Sequence, residues 1–301
     1  MPIQRLKRLF GLDKQYTIGR FNLRLPASHL LPGYQREHKK YDKFLPHLST
    51  YLPPGSTVID VGANCGDTLA AMLSSNPDLN YVCIEPDDEF FTYLTTNAET
   101  MRKIEPRSSI LLCKSLIGKA VVDGVLLGTG GTKHVSSDHT AGSTRSAHSS
   151  ITLDSLVAGE KISNIRALKI DVDGYDYDVV DSAMHLIESQ RPVLFFECQF
   201  TDAVAKVHYE KTITALSNIG YDEWTVFDNY GEVVLNSATV GSTFQLFDYV
   251  LRQNAAEATR TIYYYDIASA TPTNRTFLTA ALQSYFVADG SSKVARSAYL
   301  D

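Results

Sequence analysis

Short apolar runs that end on acids, each followed by helical spacing, set the pattern of this chain. Val58-Ile59-Asp60-Val61 runs into Gly62-Ala63-Asn64-Cys65-Gly66-Asp67-Thr68, and residues 68–75 (TLAAMLSS) read as a helix. Tyr81-Val82-Cys83-Ile84 closes on Glu85. Pro86-Asp87-Asp88 then turns and caps a helix over 89–101 with Phe90, Leu94 and Ala98 on one face. Ile110-Leu111-Leu112-Cys113 is a third strand ending at Lys114-Ser115-Leu116, and residues 121–127 suit an extra one. Ala167-Leu168-Lys169-Ile170 ends in Asp171-Val172-Asp173-Gly174-Tyr175-Asp176 and a helix through Glu188, and Val193-Leu194-Phe195-Phe196 ends in Glu197. Alternation of strand and helix with acids at the strand ends predicts an α/β fold. The sheet expected is doubly wound, mostly parallel and seven-stranded, with helices on both faces and ligands at the carboxyl edge.

The remaining pattern divides the chain. Residues 1–50 read as an amino-terminal cap: a basic amphipathic stretch over 1–11, then an irregular, aromatic, His- and Pro-rich segment with helix near 36–51. Residues 51–270 form the main domain. Within it, 128–150 is a polar segment rich in Gly, Ser and Thr carrying His134, His139 and His148, expected to be a flexible loop. A helix over 211–219 ends at Gly220, and strands over 224–228 and 232–235 are joined by Asn229-Tyr230-Gly231. Residues 243–258 suit a helix and 261–267 a final strand; 271–301 holds a terminal helix (274–286) and a tail.

Composition narrows the class of partner. The 301 residues carry a net charge of −6, which argues against nucleic acid. No apolar run reaches the ~20 residues of a membrane span, although residues 1–11 suit peripheral contact with an anionic surface. Cys65, Cys83, Cys113 and Cys198 have no metal-ligand spacing and read as reduced, buried thiols of a cytoplasmic protein. Oligomeric state is left open.

The candidate chemistry sits at the strand ends. Gly62 and Gly66 allow a tight turn with φ > 0. The run Asp-x-Gly-x-Asn-x-Gly is neither the Gly-x-Gly-x-x-Gly of dinucleotide enzymes nor a phosphate loop. Glu85, 25 residues after Asp60, is placed to accept from both ribose hydroxyls. Asp60, Gly62, Asn64, Cys65, Gly66, Asp67, Glu85, Pro86, Ser115 and Asp171 are therefore the expected contacts of a nucleoside ligand without a pyrophosphate. S-adenosylmethionine fits that description. Asp171, Asp173 and Glu197 are the candidates for catalysis, with Lys133 or His134 of the polar segment the best of the remainder for gripping or deprotonating substrate. These acids suit either a general base for a hydroxyl or a divalent cation lowering its pKa; the residues leave that choice open.

Asp60-Val61-Gly62-Ala63-Asn64, Glu85-Pro86, Thr152-Leu153-Asp154, Lys169-Ile170-Asp171-Val172-Asp173-Gly174, Phe196-Glu197 and the Gly220-Tyr221…Phe227-Asp228…Gly231 ending together resemble the FkbM-type family of S-adenosylmethionine-dependent methyltransferases over about residues 50–235. The resemblance implies a class I methyltransferase fold and O-methylation, often of a sugar or polyketide hydroxyl. Asp173 stands where the family pattern has Glu, which shortens the carboxylate's reach. A glycan or other small-molecule acceptor is the expected partner. The alternatives are a nicotinamide-dependent oxidoreductase on a similar sheet, and a nucleoside-binding protein without turnover.

Overall fold

The computed structural model describes residues 13–119, 125–127, 134–136, 150–199, 202–255 and 262–288. The expectations for residues 1–11, Lys133, His139 and His148 lie outside them.

The described residues begin with a hairpin, β1 (Lys14–Ile18) and β2 (Phe21–Leu25), where the sequence suggested irregular structure. The period-2 alternation explains it: Phe21, Leu23 and Leu25 are buried while Asn22 and Arg24 are exposed. Asn97 ties this hairpin to the first core turn, since its amide donates to the carbonyls of both Arg24 and Cys65 and its oxygen accepts from Arg24 N. The helix expected near 36–51 is two short ones, Leu31–Glu37 and Phe44–Tyr51. Between them the backbone turns, and Asp42 takes a left-handed φ of 56°.

The core begins at β3 (Thr57–Val61), followed by β4 (Asn80–Ile84) and β5 (Ser109–Cys113). Four short strands follow in two pairs: β6 (Leu116–Ile117) parallel with β9 (Ser150–Ile151), and β7 (Val125–Leu127) antiparallel with β8 (His134–Ser136). The main sheet resumes with β10 (Ile165–Ile170), β11 (Val193–Gln199), β12 (Glu223–Asp228), β13 (Val233–Ala238) and β14 (Tyr264–Ala270). Its order is β13-β12-β14-β11-β10-β3-β4-β5. The five strands from β11 to β5 pair in parallel, and β14 enters antiparallel between β11 and β12.

The sheet therefore has eight strands rather than seven. Asp228 closes the turn into β13, its Oδ1 accepting from Tyr230 N and Glu232 N, and Gly231 supplies φ +88°. β13 adds to the outer edge of β12. Every residue of β3 is buried, as expected of a strand covered on both faces.

One apolar layer lies beneath the hairpin, helices 44–51, 67–75 and 88–104, and the terminal helix Arg275–Ala288. The other lies beneath helices 153–159, 176–182, 184–190 and 203–218. The terminal helix returns to the cap: His47 Nδ1 is 2.8 Å from Ser284 Oγ, and Phe44 packs edge-on to Tyr285. Among the described residues no helix is long and apolar enough to cross a membrane.

Candidate active site

A cavity of about 370 Å³ opens at the carboxyl ends of β3, β4, β10 and β11, roofed by the cap and walled at one end by β14. That edge is where ligands lie in doubly wound sheets.

At one end is the glycine turn. Glu85, at the end of β4, is 5% exposed, and its two oxygens accept backbone hydrogen bonds from Asn64 N (2.9 Å) and Asp87 N (2.8 Å). These fix the carboxylate while leaving further lone pairs toward the cavity. Burial raises its pKa to about 7, against the lowering effect of those two bonds. His29 of the cap reaches the same turn, its Nε2 3.1 Å from Asn64 Oδ1. Leu31 N donates to His29 Nδ1, so Nε2 carries the proton that Asn64 accepts. Gly62, Asn64, Asp67, Glu85, Pro86, Ser115 and Asp171 all line the cavity.

Asp60, Cys65 and Gly66 lie under the turn instead, and none lines the cavity. Asp60, 1% exposed, sits beside Lys169 in the parallel β3–β10 ladder. Lys169 Nζ is 3.0 Å from Asp60 Oδ1, in ion-pair contact but off the line of a hydrogen bond. The same ammonium donates to the Gly62 carbonyl at 2.9 Å and stands 3.4 Å from Asp171 Oδ2. Burial raises the Asp60 carboxyl and Lys169 opposes it. Burial acts to lower Lys169, but Asp60 and Asp171 outweigh it and keep the ammonium charged. Gly62 is needed for a contact within the protein: at φ +79° a Cβ would run into the Asp171 carbonyl oxygen. Gly66, left-handed at φ +85°, starts helix 67–75.

At the other end the corner after β10 is braced by Asp176. This fully buried carboxylate accepts from Val172 N (3.1 Å) and Gly174 N (3.2 Å), and Tyr209 OH lies 3.3 Å away. Between those two amides Asp173 is held at φ 54°, with Gly174 at 97°. Asp171, Asp173 and Glu197 all line the cavity, as expected at adjacent strand ends. Glu197 is 6% exposed, and burial together with Asp171, Asp176 and Asp266 raises it well above the ordinary carboxylate range.

Residues that strand-end reasoning missed complete this end: Asp42 and Tyr41 from the cap, and Tyr263, Tyr264 and Asp266 from and beside β14. A signal was present, since Asp266 interrupts an otherwise apolar strand. His134 starts β8, where it pairs with Leu127. Among the described residues no cluster of three or more His, Cys, Asp or Glu side chains has the geometry to hold a metal ion.

A parallel sheet of this order, with one antiparallel strand inserted next to its last parallel pair and a nucleoside-sized site at its carboxyl edge, defines a class I methyltransferase. The sequence matches the methyltransferase FkbM domain over residues 60–223, more than half of the chain, and the protein belongs to that family, whose methyl donor is S-adenosylmethionine. No curated protein sequence matches significantly.

Among solved structures the chain is similar to methyltransferase FkbM from Methylobacillus flagellatus KT, at 12% identity over 80% of this chain and 58% of that one, with a TM-score of 0.39. It is similar to precorrin-6y C5,15-methyltransferase from Geobacter metallireducens GS-15, at 9% identity over 75% and 85% with a TM-score of 0.38. M. jannaschii TYW2 in complex with AdoMet matches at 10% identity over 85% and 84%, with a TM-score of 0.41.

The lining residues fit that cofactor. Glu85, fixed by two amides, suits a ribose diol; Leu116, Ile117 and Phe90 offer apolar walls to a base; Asp67 and Asp171 offer carboxylates to an amino group.

Proposed function

We propose that the protein is an S-adenosylmethionine-dependent O-methyltransferase acting on a hydroxyl of a sugar, a glycan or a related natural product. The observation that carries this reading is the single cavity shared by Glu85 at one end and Asp173 and Glu197 at the other. Bound S-adenosylmethionine supplies an electrophilic methyl group. The chain's own task is to orient the hydroxyl and accept its proton, because a sugar hydroxyl is a poor nucleophile at neutral pH.

Asp173 is the base we favour. Glu197 lies deeper, opposite Asp266, whereas Asp173 is half-buried on a corner made rigid by Asp176. Asp171 orients ligand or base. The tyrosines of the cap and β14 support a carbohydrate acceptor, since ring faces stack on sugars while carboxylates accept from hydroxyls. No step is assigned to a divalent cation.

Calorimetry with S-adenosylhomocysteine and with NAD tests the cofactor: binding of NAD alone would overturn the reading. Release of S-adenosylhomocysteine on incubation with sugar acceptors tests turnover. Asp171→Asn, Asp173→Asn and Glu197→Gln should each cost rate more than cofactor affinity, and wild-type turnover in all three would sink the site assignment.

A further inference from the structure

The far end of the cavity gathers more carboxyl groups than a neutral acceptor requires. Glu197 and Asp266 are direct partners across the antiparallel β11–β14 ladder and both line the cavity. Like charges directly opposite each other on one face of a sheet repel. Asp42 faces them from the cap. Glu197 is 94% buried by its 6% exposure, yet its Oε1 meets no hydrogen-bond donor among the described residues.

Among the described residues, Lys169 acts on Asp266 and Asp42 and Lys43 acts on Asp42, but none forms an ion pair with Glu197 or Asp266. Lys169 is the only lysine or arginine among the described lining residues, and it is already committed to Asp60, Asp171 and the Gly62 carbonyl. Tyr41 and Tyr264 stand next in sequence to Asp42 and near Asp266, and both line the same end. Aromatic faces beside carboxylates form the usual receptor for an organic cation.

We propose that the acceptor carries a cationic nitrogen, held by Glu197 and Asp266 with Tyr41 and Tyr264 around it; a hydroxyl compound with a protonated amine, such as an amino sugar, is the class that fits. This rests on the methyltransfer reading above and narrows its substrate. Burial and the neighbouring carboxylates push both Glu197 and Asp266 well above the ordinary range, which is the strain an incoming cation relieves. Methyl transfer itself stays at the hydroxyl, whose proton passes to Asp173.

The test compares choline with 3,3-dimethylbutan-1-ol, which share shape and hydroxyl and differ in charge. Each is titrated into the full-length protein saturated with S-adenosylhomocysteine. Choline should bind at least about tenfold more tightly. In Glu197→Gln and in Asp266→Asn that preference should fall to about twofold or less, with S-adenosylhomocysteine affinity unchanged. Equal binding of the two probes, binding of neither, or full preference retained in both variants would overturn the proposal. Failure of S-adenosylhomocysteine to bind at the outset would instead overturn the methyltransfer reading, and is seen before either probe is added.

Discussion

The two ends of the cavity are built on opposite principles. At the glycine turn, charge and polarity are answered within the protein: Glu85 takes two amides, Asn64 takes His29, and Asp60, whose oxygens meet no hydrogen-bond donor among the described residues, is balanced by the charge of Lys169. At the β11–β14 end, carboxylates crowd together, and Glu197 Oε1 meets no donor among the described residues. On the proposed reading the first end is a finished mould for one constant ligand. The second is left incomplete among the described residues, and on the proposed reading the acceptor completes it. On the proposed reading, electrostatic dissatisfaction, more than shape, marks the half of this site that varies with substrate.

The most severe way to break the comparison is to remove the cation that balances the turn. Lys169→Met leaves Asp60 buried without its cation, and should cost about 3–5 kcal/mol in urea unfolding. Adding Asp60→Asn should restore much of it, whereas a loss under about 1 kcal/mol would mean that the turn is not electrostatically closed. Next in size, Asp173→Asn should lower kcat by about 10²-fold or more with S-adenosylhomocysteine affinity unchanged. A matching loss of affinity would mean that the two ends are not separate. Gly62→Ala follows, at about 1–3 kcal/mol of stability from the left-handed backbone alone, with the Asp171 carbonyl adding to it. A neutral result in thermal unfolding would mean that the two turns do not press on each other.

The smallest effect is in pH. Glu85 must be ionised to accept from both ribose hydroxyls, and its pKa lies at about 7. S-adenosylhomocysteine should therefore bind about tenfold more weakly at about pH 6 than at about pH 8, and Glu85→Gln should remove that slope. Without ligand the sign reverses. A carboxyl raised from 4.5 to about 7 gives the folded chain a proton that the unfolded chain lacks between those values, so apo stability falls as pH rises through that window.

The sheet was legible because its strands are buried on both faces and read as apolar runs. The glycine turn and Glu85 were legible because both lie within two consecutive units of one chain segment. The role of Asp60 was not: its environment depends on Lys169, more than 100 residues away, and only the register of β3 against β10 brings them side by side. Asp42 and Asp266 were missed for the same reason, since nothing local reveals that the cap and the last strand share one wall. The hairpin over 14–25 was visible in period-2 alternation but masked by the surrounding His and Pro residues.

Lys169 has one more consequence, for the cooperativity of the molecule. Its single ammonium joins Asp60 and the Gly62 carbonyl of one crossover unit to Asp171 of another, and Asp171 N donates to the Val61 carbonyl across the same gap. Neither loop can open without stripping a buried charge of its partners. Amide protons at the two turns should accordingly exchange with solvent as one unit, in the same slow opening event, whatever fills the cavity above them.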